Sequence, residues 1–105
     1  MDGRSFALHG ERIRLADIDT PDLRAPCPHE AALGLQAAQR LAALLRAAPF
    51  QLSESFGRDS DEQGRKLRIA SRGGHSLGDA MVAEGLARPW STVASPWCAT
   101  GFGEL

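Results

Sequence analysis

One stretch of the chain reads unmistakably as a helix. From about residue 29 to residue 48, Leu33, Ala37, Leu41, Leu44, Leu45 and Ala48 recur at three- and four-residue spacing. They make one apolar stripe, with Arg40 and Arg46 facing elsewhere. Pro28 sits near the first turn, where its missing N–H costs nothing, and Pro49 stops the run. The flanking segments alternate instead. Residues 4–9 and 11–18 place Phe6 and Leu8, then Ile13 and Leu15, on a period of two around His9-Gly10, which predicts a hairpin. After the helix, Phe50, Leu52 and Phe56 alternate with polar residues, and residues 64–72 carry Leu67 and Ile69 on one strand face. Ser76 with Asp79 three residues on is a helix start, and Gly85 a helix stop, so a short helix is predicted over about 77–84. One long helix set among mostly antiparallel strands predicts an α+β fold, a small barrel with its helices on one side.

The chain has 105 residues, enough for one domain and no second core. No apolar run approaches the length of a membrane-spanning helix. No signal peptide is visible after Met1-Asp2-Gly3-Arg4, although the mature form of an exported protein would look the same. The localisation is therefore open. Lys and Arg total 12 against 13 Asp and Glu, a net charge of −1. A protein that coats nucleic acid by counterion release needs a basic excess, so any phosphate contact here must come from local clustering. Lys66 is the only lysine; the other cations are arginines, whose planar forks suit phosphate. Cys27 and Cys98 lack metal-site spacing. They read either as two buried thiols or as one long-range disulfide. The latter would close a loop of about 70 residues and contribute roughly 4 kcal/mol in the chain-entropy model. His9, His29 and His75 lie in turns or at a helix start and read as surface residues.

Three segments carry the chemistry: Arg14-Leu15-Ala16-Asp17-Ile18-Asp19-Thr20-Pro21-Asp22, Gln63-Gly64-Arg65-Lys66-Leu67, and Asp2-Gly3-Arg4-Ser5-Phe6. With the closing Glu84-Gly85-Leu86-Ala87, this set resembles the staphylococcal nuclease family over roughly residues 1–88. The resemblance implies an OB-like five-stranded barrel with one long helix between strands and a short C-terminal helix. Residues 89–105 are left as an irregular tail holding Trp90 and Trp97. It also implies calcium-dependent hydrolysis of phosphodiesters in nucleic acid. A phosphodiester repels hydroxide. Catalysis therefore needs cations around phosphorus, a polarising metal and a carboxylate that activates water. On the family pattern, Arg14 and Arg65 match the two phosphate-clamping arginines, and Asp22 stands where the family has its glutamate base. Asp19 matches a Ca²⁺-ligand carboxylate, Thr20 the residue whose carbonyl helps hold the ion, and Asp2 a carboxylate just outside the ligand set.

This sequence departs from the family at four positions. Arg4 stands where the family has an aspartate that ligates Ca²⁺, and Ser5 replaces a threonine. Asp22 is one methylene shorter than the glutamate it replaces, and Gln63 stands where the family has tyrosine. A guanidinium about 5 Å from Ca²⁺ is repelled by roughly 6–7 kcal/mol at an effective dielectric of 20. Micromolar to millimolar Ca²⁺ sites are worth only about 4–8 kcal/mol. The expected calcium site is therefore weak or absent. The leading expectation is a nuclease-like phosphodiester hydrolase impaired at Arg4. The alternative is a non-catalytic, pseudoenzyme-like module that binds nucleic acid or phosphate through Arg4, Arg14 and Arg65. A third is an interaction domain using the tryptophan-bearing tail. The family's first strand normally extends further upstream, so either the natural chain is longer or the edge left open is covered by the tail or by a partner chain, such as a second copy. The resemblance favours Cys27 and Cys98 as a disulfide in an exported protein.

Overall fold

The computed structural model describes residues 1–55, 57–90 and 97. Strands β1 (Ser5–Leu8) and β2 (Glu11–Leu15) form the expected hairpin. Its two-residue loop puts His9 at φ 51° and Gly10 at φ 82°. Two consecutive left-handed residues are what a tight hairpin turn requires, because its twist then matches that of the strands. A short strand, β3 (Ile18–Asp19), follows. Helix α1 (Pro28–Ala47) leads into β4 (Gln51–Glu54), β5 (Lys66–Arg72), β6 (His75–Ser76), helix α2 (Leu77–Ala83) and β7 (Arg88–Pro89).

The main sheet runs β1-β2-β5-β4, with β6 on β5. Its central pair, β2 with β5, is parallel, and Ile13, Arg14 and Leu15 lie opposite Lys66, Leu67 and Arg68. A hairpin cannot join parallel strands; here the crossover contains α1. The expected closed barrel does not form. β1 and β4 are the two ends of the path and do not pair with each other. Both are only four residues long, and between them Phe6 and Phe50 meet edge to face with ring centroids 6.2 Å apart.

The core gathers Phe6, Ile13, Leu15, Ile18, Ala37, Leu41, Ala70, Leu77, Met81 and Ala87. The most buried line on α1 is Gly34, Ala37 and Leu41. Leu33 is only half-buried and Ala48 is exposed beyond the helix end, so the seam is offset from the predicted stripe. Gly34 explains the offset. A Cβ there would lie 2.7 Å from the Leu23 nitrogen and 2.8 Å from the Asp22 carbonyl carbon. The absent side chain lets the helix press against the loop that follows β3. At the other end of α1, Arg72 donates from Nε to the Pro49 carbonyl at 2.9 Å and from Nη2 to the Leu44 carbonyl at 2.8 Å. It satisfies helix-end acceptors and favours the negative end of the helix dipole.

Two short pieces complete the frame. β3 pairs antiparallel with β7, setting Ile18 opposite Pro89 and Asp19 opposite Arg88. Beyond the ladder, the Trp90 N–H donates to the Asp17 carbonyl at 3.0 Å. The Asp17 carboxylate in turn accepts from the Ser76 hydroxyl, the N-cap of α2. The β2–β3 turn is thus tied both to α2 and to the segment leaving it. Phe56, which the alternation placed at the end of a strand, lies outside the described residues. Among the described residues no helix is long and apolar enough to cross a membrane.

Candidate functional site

The parallel β2–β5 pairing decides where the cations go. Ile13 and Leu15 are in the core, so Arg14 between them leaves by the opposite face of the sheet. Leu67, opposite Arg14 in the ladder, shares that face, and Arg65 lies just before β5. All three line a cleft of about 380 Å³ with Ala16, Ser55, Arg58, Asp61, Glu62, Gln63 and Trp90. The sequence reading put Leu67 and Ile69 on one face. They share a face of β5, and the strand's core residue is Ala70, on the other one.

Arg14 is 7% exposed, rare for an arginine. Its Nη1 donates to the Leu15 carbonyl at 2.6 Å, and its Cζ lies 5.1 Å from the Trp90 ring centroid. Burial depresses its pKa most, and the Arg4 and Arg65 charges depress it further; Asp19 and Asp61 only partly oppose them. Arg65 is held differently. Its Nε donates to Asp61 Oδ2 at 2.6 Å, and its backbone N–H donates to Asp61 Oδ1 at 2.9 Å. Burial works to raise the Asp61 pKa, but these bonds, the Gln63 N–H and the Arg65 charge outweigh it and hold the carboxyl below its usual range. Two arginines from parallel neighbours therefore face one concavity with an aromatic ring at its rim. That arrangement offers planar donors and a positive field to an anion.

The remaining sequence-derived residues lie outside the cleft lining. Arg4 forms an ion pair with Asp19, Nη1 to Oδ1, and both side chains are roughly one-third exposed. Asp2 Oδ1 accepts the Arg4 N–H at 2.9 Å and the Ser5 hydroxyl at 2.8 Å. Burial pushes the Asp2 pKa up, yet those bonds and the Arg4 charge leave it below its usual value. Thr20 is buried. Asp22 is exposed and turned to its own loop, where Oδ1 accepts the Arg24 N–H at 2.9 Å and its own N–H donates to Glu30 at 2.9 Å. Among the described residues, no three His, Cys, Asp or Glu side chains gather as a ligand set. The Asp19 carboxylate is engaged by a guanidinium, and that of Asp22 is bound to a local donor.

Cys27 caps α1 through Sγ, which accepts the Glu30 N–H at 3.5 Å. Cys27 is disulfide-bonded; Cys98, its expected partner, lies outside the described residues. Asp61 and Arg58 were not singled out from the sequence, and Trp90 was read only as part of an interaction tail. The Asp61-Glu62-Gln63-Gly64-Arg65 spacing could have found one of them. An aspartate that closes a turn by accepting N–H groups two and four residues on is a recognised loop device.

The staphylococcal nuclease homologue family matches residues 12–98, which runs from within β2 through β7 and includes every residue lining the cleft. The chain belongs to that family. No curated protein matches it. Membership relates the chain to nucleases of OB-type α+β fold that generally depend on calcium, and many of that family bind nucleic acid.

Proposed function

We propose that this staphylococcal nuclease homologue binds nucleic-acid phosphate groups in the Arg14–Arg65 cleft, with calcium-dependent hydrolysis impaired. The observation that carries this reading is the Arg4–Asp19 ion pair. By the family resemblance, Arg4 is a cation at the place of an anionic calcium ligand, and the pair engages Asp19, the ligand carboxylate that would remain. Asp22, at the family's general-base position, closes its own turn and is not among the cleft residues. The phosphate-gripping half of the apparatus does not depend on these groups. Two guanidiniums can hold a phosphodiester without metal, though holding it supplies neither a nucleophile nor compensation for the charge of the transition state. Trp90 adds a stacking surface of the kind that single-stranded nucleic acid uses. The net charge of −1 confines the expected affinity to this local pocket.

The test is a nuclease assay with and without Ca²⁺ on the wild type and on Arg4→Asp, paired with calorimetry. The wild type is expected to show no saturable calcium isotherm and little or no calcium-stimulated cleavage. Arg4→Asp should gain a calcium site. Efficient calcium-dependent cleavage by the wild type, lost in Asp19→Ala, would overturn the impairment.

A further inference from the structure

Arg65 is the better placed of the two cleft arginines for a ligand, and the reason lies in Asp61. Arg14 gives Nη1 to a carbonyl beside it, whereas Arg65 is bonded through Nε. The Asp61 carboxylate is bonded on both oxygens: Oδ1 to the Gln63 and Arg65 N–H groups, each at 2.9 Å, and Oδ2 to Arg65 Nε at 2.6 Å. Its side chain is 13% exposed and that of Arg65 is 16% exposed, so solvent screens the pair little. The loop is closed again by the Asp61 N–H, which donates to the Arg65 carbonyl at 2.8 Å. A guanidinium fixed at Nε keeps its two terminal nitrogens as a rigid fork, and Arg65 lines the cleft.

We propose that Asp61 is a positioning residue for phosphate. It locks the Arg65 guanidinium so that its terminal nitrogens face the cleft, and the gain in order outweighs the negative charge it brings. This rests on the phosphate-binding reading above. The two contributions of Asp61 have opposite signs. By charge alone, removing Asp61 makes the cleft more positive and tightens any anion. By positioning, removing it frees Arg65 and weakens the anion.

The experiment is a titration of the full chain with inorganic phosphate, followed by NMR on backbone amides and on the arginine Nε–Hε resonances. Wild type, Asp61→Asn, Asp61→Glu, Arg65→Gln and the Asp61→Asn/Arg65→Gln double variant are compared. Asp61→Asn keeps an acceptor for the turn N–H groups, and Asp61→Glu keeps the charge while moving it by a methylene. Both are expected to weaken phosphate, by about fivefold to tenfold for Asp61→Asn. The Arg65 Hε resonance should lose its downfield position and its protection from exchange. In the Arg65→Gln background, Asp61→Asn should no longer weaken phosphate. Tighter phosphate in Asp61→Asn, or unchanged affinity in Asp61→Glu, overturns the positioning role while leaving the cleft reading intact. If Asp61→Asn fails to fold, the Asp61→Glu arm decides. A wild type with no saturable shift at Arg14, Gly64 or Arg65 overturns the phosphate reading itself.

Discussion

Two aspartate–arginine pairs both act on Arg14 and, on the proposed function, have opposite consequences. In the Asp61–Arg65 pair the partners are four residues apart in one loop, and the aspartate also holds backbone N–H groups. In the Arg4–Asp19 pair the partners come from separate segments, fifteen residues apart, and the contact is a single Nη1–Oδ1 ion pair. The first pair spends its anion on holding a cation in place. The second sets a cation against Asp19, a carboxylate that by the family resemblance would be a metal ligand. On the proposed function, the same two residue types prepare a site for phosphate in the Asp61–Arg65 loop and remove a site for calcium at the Arg4–Asp19 contact. On that reading, what separates them is which member faces the ligand.

The largest expected effect breaks the second pair. Arg4→Asp changes the local charge by two and frees the Asp19 carboxylate. Calorimetry should then detect calcium where the wild type is expected to show none, a gain of at least about 4 kcal/mol if the site reaches the millimolar range. If Arg4→Asp binds no calcium, charge is not what separates the two pairs, and the geometry of the first strand is at fault.

The next effect falls on the cleft. Arg14→Gln is expected to weaken inorganic phosphate about tenfold or more, through loss of charge-assisted hydrogen bonds. It should leave the melting temperature unchanged or raise it, because a buried cation repelled by Arg4 and Arg65 is removed. A fall in both would mean that Arg14 is mainly a structural residue.

A smaller change tests whether the regions are independent. Gly34→Ala forces a methyl against the backbone of Leu23 and Asp22. It is expected to cost about 1–3 kcal/mol in denaturant unfolding. Amide shifts should be confined to the Asp19–Leu23 loop and α1, and phosphate affinity at Arg65 should hold. Phosphate affinity falling in step with stability would show the two regions to be coupled.

The smallest effect is one of acid. Asp61 and Asp2 are both held below their usual carboxylate values in the folded chain. Their contribution is complete above the unfolded carboxyl pKa of about 4 and is lost as pH falls through their lower folded values. Thermal melts from pH 6 down to pH 2 should therefore fall most steeply below about pH 4. In Asp61→Asn the slope should be shallower.

Much of this architecture was legible from side-chain period. The hairpin of β1 and β2 has alternating apolar residues and a turn dipeptide suited to left-handed backbone, and α1 has its proline brackets. The pairing of β2 with β5 was not legible, because parallel partners far apart in sequence leave no local signal. Nor was the β3–β7 ribbon, since two-residue strands have no period to detect. That ribbon leads directly into Trp90, which is why an aromatic read from sequence as part of a tail lines the cleft. In the candidate site, the family pattern singled out Arg14 and Arg65 by type and spacing. The direction of Arg4 and the bonding of Asp61 depend on which loops meet, and only the fold settles that.

The parallel β2–β5 ladder also bears on when the cleft exists. Its arginines lie about fifty residues apart, and the whole of α1 must be looped out before the strands can meet, an entropic cost met before any contact between them forms. No partly folded chain with either half alone has the cleft. A phosphate bound across it would therefore favour the complete fold and leave its fragments untouched, which makes the ligand a reporter of finished folding.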